Sequence, residues 1–413
     1  MQIFLLMALT CLTVVTIGYF INKYLRLPWM FTVVILGMTL SSLGLFTEVL
    51  QSENFQLLAK MGMLLFLFTI GLDLELEQIR KLGGYIVFGN ILLTLSEGFL
   101  LALLFYFVYP DFVSHSFGVA LLTGIAFGTV GEVILLALLK EFGLEKTKFG
   151  QLALGIGVFD DIFEILVLAI IIGLPALTSA SSPANGWAGS LSIVITLTGI
   201  ILATIFLSKI GKFTRSIFEK IPSDSFVTPF LIFMFAFGFI YLGSYRIENM
   251  GVVAAIFSGI AIKKMLPEKI LQQYKKPVFF VTNIFLGPFF FLSLGGKMSL
   301  GALISNPVLI LAIISISLAS RVAISYLLFQ RLLGKRQAAI LGVGLTAKFS
   351  TSVISENLLY TSGMIALPLY STIMAAFILL KPIIVGAFSM LLATHKESIQ
   401  EVVDHTALSV TEI

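Results

Sequence analysis

An apolar stretch of about 18–26 residues, long enough to cross a bilayer as a helix, recurs thirteen times along this 413-residue chain. The stretches centre near Val14, Val34, Leu65, Leu95, Phe127, Asp161, Leu197, Phe233, Ala255, Leu286, Ser317, Phe349 and Ala376. Inside lipid every backbone N–H and C=O must be satisfied, which a helix does within one segment. The expected fold class is therefore an all-α polytopic membrane protein with 13 transmembrane helices. Composition agrees: 58% of residues are hydrophobic and 12% charged, about half the charged share of a soluble domain. A transmembrane region over 1–393 leaves residues 394–413 as a short cytoplasmic tail. The N-terminus is apolar from Ile3 and lacks a basic leader, so it reads as a retained first span. Cys11 is the single cysteine, which excludes an internal disulfide or a thiolate metal site.

Charge sets the orientation. Loops after odd-numbered spans carry Lys23 and Arg26, Arg80 and Lys81, Lys140 to Lys148, Lys209 to Lys220, Lys263 to Lys276, and Arg331 to Arg336. Loops after even-numbered spans offer only Arg246 and Lys297. The positive-inside rule then puts the N-terminus outside and the C-terminus in the cytoplasm. The net charge of +4 is topogenic and implies no nucleic-acid partner.

Nine ionisable residues fall within spans: Glu97, Glu132, Asp160, Asp161, Glu164, Arg321, Lys348, Glu356 and Lys381. A carboxylate at mid-membrane costs about 2.5–3.5 kcal/mol on the insertion scale, so the pair Asp160 and Asp161 marks an ion or proton site. Successive helical residues point about 100° apart, so the two aspartates address different neighbours. Glu164 follows on the same side and is a further candidate for sharing the proton. Arg321 keeps its proton and needs a partner. Glu97, Glu356 and Lys381 read as helix-tethering pairs or interfacial charges.

Two spans look broken. The fifth contains Gly124-Ile-Ala-Phe-Gly-Thr-Val-Gly-Glu132, the twelfth Gly342-Val-Gly-Leu-Thr-Ala-Lys-Phe-Ser-Thr-Ser352. Small residues at mid-depth suit either close helix packing or unwinding around an ion site. Superposing Gly124–Leu139 on Gly344–Leu359 matches Gly124/Gly344, Val133/Val353, Ile134/Ile354, Leu138/Leu358 and Leu139/Leu359. Spans an odd number apart run in opposite directions, so the expected architecture has inverted repeats with two crossed broken helices. Lys348 and Glu132 are placed to compensate the partial charges of the half-helix ends.

Three segments resemble the second branch of the monovalent cation:proton antiporter family, which holds bacterial sodium/proton exchangers and the membrane domains of potassium efflux systems. Met63-Leu-Leu-Phe-Leu-Phe-Thr-Ile-Gly-Leu-Asp-Leu-Glu75 is similar to the family's third-span signature, Gly157-Val-Phe-Asp-Asp-Ile162 to its paired-acid motif, and Ser320-Arg-Val-Ala323 to the position of its buried base. The resemblance implies that Asp161 is the main cation and proton carboxylate. Asp160 would be its companion, paired with Arg321 and completing the sodium site, and Thr129 would lend an oxygen. It also implies a core domain (approximately 84–173 and 303–393) moving against a dimerisation scaffold (approximately 1–73 and 187–265) in a homodimer. The chain departs from the pattern in three ways. Arg321 stands where many electrogenic members have lysine. Lys348-Phe349-Ser350 lacks the usual acid. No nucleotide-binding domain of the efflux-system type is expected after Ile413.

The expected function is secondary-active Na+ or Li+/proton antiport by elevator-type alternating access in a bacterial inner membrane, serving pH homeostasis. Cation and proton would compete for Asp161, with no cofactor and only membrane lipid around the protein. Alternatives are a K+/proton antiporter, or an ion channel or sensor on the same fold. No GxxxxGK[ST] segment supports ATP-driven work, and the chain is not expected to be an enzyme.

Overall fold

The computed structural model describes residues 2–25, 29–74, 83–131, 135, 139, 142–144, 147–178, 195–210, 215, 227–245, 250–348 and 351–404. Among them all regular structure is helical, and seven helices are long and apolar enough to cross a membrane. The chain divides into two compact units that alternate along the sequence.

The first unit takes Met1–Phe20, Pro28–Leu74 and Leu168–Lys297. Its N-terminal part holds α1 (Gln2–Thr13), prolonged through a π turn at Val14–Gly18, and then α3 (Trp29–Ser42), α4 (Thr47–Gln51) and α5 (Glu53–Asp73); the intervening α2 (Tyr19–Leu25) falls mostly in the second unit. The second unit continues with α6 (Gly84–Val108), α7 (Phe117–Phe127) and most of α8 (Lys148–Thr178). The first unit then resumes with α9 (Ile195–Ile210), α10 (Val227–Ser244), α11 (Met250–Met265), α12 (Glu268–Phe279) and α13 (Gly287–Gly296). The second unit closes with α14 (Leu300–Ser305), α15 (Pro307–Leu333), α16 (Lys335–Leu345), α17 (Thr351–Thr361) and α18 (Leu367–Asp404).

One sequence expectation needs correction. The basic stretch around Lys269, Lys275 and Lys276 is helical, not a loop: α12 opens a continuous helical run over Glu268–Gly296. Its polar opening turns share a helix with the apolar residues that follow. Helix α18 continues beyond its apolar span, Leu367–Leu392, as far as Asp404.

Helix crossings rest on glycine. In the first unit a Cβ on Gly71 would strike the Ile256 carbonyl, and one on Gly259 would strike the Phe68 carbonyl, so α5 and α11 touch backbone to backbone. Small residues permit this approach where no hydrophobic effect drives association. Lys263 Nζ then donates to the carbonyls of Asp73 (3.2 Å) and Leu74 (2.9 Å). A cation there meets the negative end of α5, and Asp73 itself pairs with Lys275 at 2.7 Å. The acid of the third-span signature thus binds α5 to the basic start of α12.

The second unit uses the same device beside its buried charges. Gly98 and Gly124 leave no room for a Cβ where α6 crosses α7. A Cβ on Gly342 would come 2.7 Å from the Arg321 carbonyl and 2.6 Å from Val322 Cα. Glu97 and Arg321 therefore sit beside close helix crossings of this unit.

Candidate functional site

Helical spacing gathers the polar groups of the second unit. On α6, Thr94 and Glu97 are three residues apart and share a face; on α15, Ser317 and Arg321 are four apart and do the same. All four are buried. Glu97 Oε2 accepts from Arg321 Nε at 2.5 Å, and its Oε1 accepts from Ser317 Oγ at 2.5 Å. Lys348 Nζ lies 2.8 Å from Oε1 and 3.0 Å from Oε2, and 5.0 Å from the centroid of the Phe127 ring. One carboxylate thus holds two cations. Truncating either side of such a buried pair strands a charge, at a cost of about 3–5 kcal/mol.

Both spans expected to break do so. Helix α7 stops at Phe127, and Gly128 to Gly131 are not helical. Helix α16 stops at Leu345, and α17 begins at Thr351. The Gly131 N–H donates to the Ala347 carbonyl at 2.6 Å, which ties one break to the other. Unwinding frees backbone donors, and Asp160 uses one: its Oδ2 accepts from Val130 N–H at 2.5 Å. Its Oδ1 accepts from Thr94 Oγ1 at 3.3 Å.

The expected pair of Asp160 with Arg321 is not a direct one. Arg321 spends Nε on Glu97, while its Nη2 donates to Thr94 Oγ1 at 3.4 Å. Thr94 therefore stands between the guanidinium and Asp160, receiving from one and donating to the other. The guanidinium follows Glu97 because Ser317, one turn earlier on the same helix, fixes that carboxylate in place.

Thr129 meets the second break. Its Oγ1 is 2.5 Å from Ser352 Oγ, and Ser352 Oγ donates to Glu164 Oε1 at 3.0 Å. Glu164 is buried, and its Oε2 has no hydrogen-bond partner among the described residues. Asp161 follows Asp160 within α8, and its side chain lies outside the described residues, as does Glu132 entirely. Lys348 is paired with Glu97 of α6.

Charge counting says what this cluster can do. Glu97 and Asp160 balance Arg321 and Lys348. Among the described residues Glu164 is then an acid without a base of its own. A buried carboxylate lacking a countercharge is stabilised by a proton or by a cation. Glu97, Thr94, Ser317 and Ser352 were not singled out as site residues in the sequence. The usable signal was Ser317 four residues before Arg321, with Thr94 three before Glu97.

With that geometry in hand, kinship becomes informative. Residues 10–393 match the family model described as "Sodium/hydrogen exchanger, transmembrane". The chain belongs to the sodium/hydrogen exchanger family. Members of this family are transporters, and this exchanger-family chain is an integral membrane protein of the same kind. Among curated relatives it is 28% identical over 348 residues to the Na(+)/H(+) antiporter NhaS4 of Synechocystis, covering 79% of this chain and 81% of that one. It is 23% identical over 337 residues to the Na(+)/H(+)-K(+) antiporter GerN of Bacillus cereus, covering 80% and 81%. Its backbone resembles that of the sodium proton antiporter MjNhaP1 from Methanocaldococcus jannaschii, with a TM-score of 0.61, 16% identity and coverage of 98% and 99%. At that identity the likeness concerns the fold alone.

Proposed function

We propose that this protein is a secondary-active antiporter exchanging Na+ or Li+ for protons at Asp161, with Asp160 and Thr129 completing the oxygen site. One observation carries the reading: a neutral quartet of Glu97, Asp160, Arg321 and Lys348 is built at two helix breaks beside acids in surplus. The quartet is fixed framework. Arg321 cannot cycle through a neutral form, so the exchanged charge resides on the surplus carboxyls. A cation entering displaces the proton, and a proton arriving from the other side displaces the cation. Competition at one site couples the two fluxes.

The reading includes thirteen spans with the N-terminus outside, inverted repeats around the two breaks, and a homodimer in a bacterial inner membrane. The unit with the quartet acts as the carrier, moving against the scaffold unit in an elevator cycle. Potassium is the second substrate candidate, favoured by the name of the GerN relative. The test is proton flux in proteoliposomes on addition of sodium, lithium or potassium. Sodium and lithium are expected to drive it, and Asp161→Asn to lower it by at least about a hundredfold. An Asp161→Asn protein exchanging at the parent rate removes the assignment.

A further inference from the structure

Glu356 is fully buried on α17, and neither of its carboxyl oxygens has a hydrogen-bond partner among the described residues. The quartet and the surplus acids make no use of it. Its position along α17 is informative. Ser352, Glu356 and Tyr360 are spaced by four residues, so they occupy one face on successive turns. Ser352 touches the ion cluster through Glu164 and Thr129. At the other end Tyr360 is partly exposed, and Thr361 is exposed. Tyr360 stacks on Tyr370 of α18 with ring centroids 4.6 Å apart. One helix face therefore leads from the buried cluster to the surface, with an unpartnered acid at its midpoint.

The surroundings of Glu356 hold few other charges. Helix α17 packs against α7 and α18. The α7 segment has no titratable residue. Helix α18 brings Tyr370 into electrostatic reach of Glu356. Lys381, the buried base of α18, is not among the hydrogen-bond partners of Glu356. A carboxyl left this way in a membrane interior has no structural pair to justify its cost, and intramembrane acids mark proton paths.

We propose that Glu356 is a proton-relay residue, loaded at the Tyr360–Thr361 end of α17 and discharging through the Ser352 hydroxyl to Glu164. The step balances. Glu356 loses its O–H proton to Ser352 Oγ as Ser352 gives its own proton to Glu164, so one carboxyl becomes ionised as the other is neutralised. Water at the helix end then reloads Glu356. The gap from Glu356 to Ser352 is one turn, about 5–6 Å between Cβ atoms, within reach of a glutamate side chain. The relay rests on the antiport reading given above and adds the route by which its proton arrives.

The experiment compares parent, Glu356→Gln and Glu356→Asp proteins in sodium-driven proton flux across a range of pH. Proton capture limits turnover where protons are scarce. Glu356→Gln is therefore expected to be at least about tenfold slower at alkaline pH and to approach the parent at acid pH. Glu356→Asp restores the alkaline rate. A Gln variant equal to the parent at every pH overturns the relay, and so does a uniform loss that Asp does not restore. Infrared difference spectra of the purified proteins after a pH jump give a readout independent of transport. The parent is expected to show a protonated-carboxyl band that Glu356→Gln lacks, and identical spectra overturn the proposal. A parent protein that shows this band but no sodium-driven flux removes the antiport reading instead.

Discussion

Glu97 is the residue on which the buried charges depend, since Arg321 and Lys348 both rest on its carboxylate. Replacing it with glutamine strands two cations, and Glu97→Gln is expected to lose about 3–5 kcal/mol of stability. Adding Lys348→Met removes one of those cations and is expected to recover at least half of the loss. Thermal unfolding in detergent, arranged as a double-mutant cycle, measures the coupling. The sequence marked Arg321 as a base in need of an acid but could not choose among acids. Asp160 is the partner expected from the paired-acid motif. The choice turns on how α6 is rotated about its axis, which puts Glu97 and Thr94 toward α15, and hydropathy does not encode that rotation. The roles of Ser317 and Ser352 were hidden for a related reason. A serine in an apolar helix usually bonds back to its own carbonyls, as the Thr10 hydroxyl does to Leu6, and only the packed structure shows which hydroxyls are turned elsewhere.

At the scale of elements, the two breaks were the most legible feature, because glycine, threonine and serine accumulate where a helix must end inside the membrane. Gly128 closes α7 and Thr346 closes α16, each within the segment the sequence marked. The basic opening of α12 was not legible, because an amphipathic helix start rich in lysine looks like a cytoplasmic loop. Glycine lets the helices beside the breaks cross closely. A Cβ at Gly98 would meet the Ile125 backbone at 2.9 Å, and backbone cannot swing aside as a side chain can. Gly98→Ala is expected to cost about 1–3 kcal/mol through overpacking. It also displaces Glu97, its neighbour in the chain, so exchange should fall with stability. Gly118→Ala, on the α7 helix that Gly98 crosses but with only the Ser116 hydroxyl nearby at 3.7 Å, should leave both unchanged. Parallel melting and flux measurements on the two variants separate a crossing effect from a general loss of glycine.

On the scale of the whole molecule, a neutral quartet of buried charges supports acids that the quartet does not neutralise. The framework explains why so many ionisable groups are tolerated in an apolar interior: the charges of four cancel in sum, and the proposed exchange of protons for cations falls to acids outside the four. Two compact units alternating along the chain provide a separate body for this machinery. The central claim is that cation and proton displace one another from the same carboxyl. Titrating sodium into the purified protein by calorimetry, in buffers of different ionisation enthalpy, counts the protons released on binding. Because the ligand must be deprotonated, about one proton should leave per cation bound near the titration range of the site, and Asp161→Asn should bind no sodium with proton release. Sodium binding by the parent with no proton released would contradict the account.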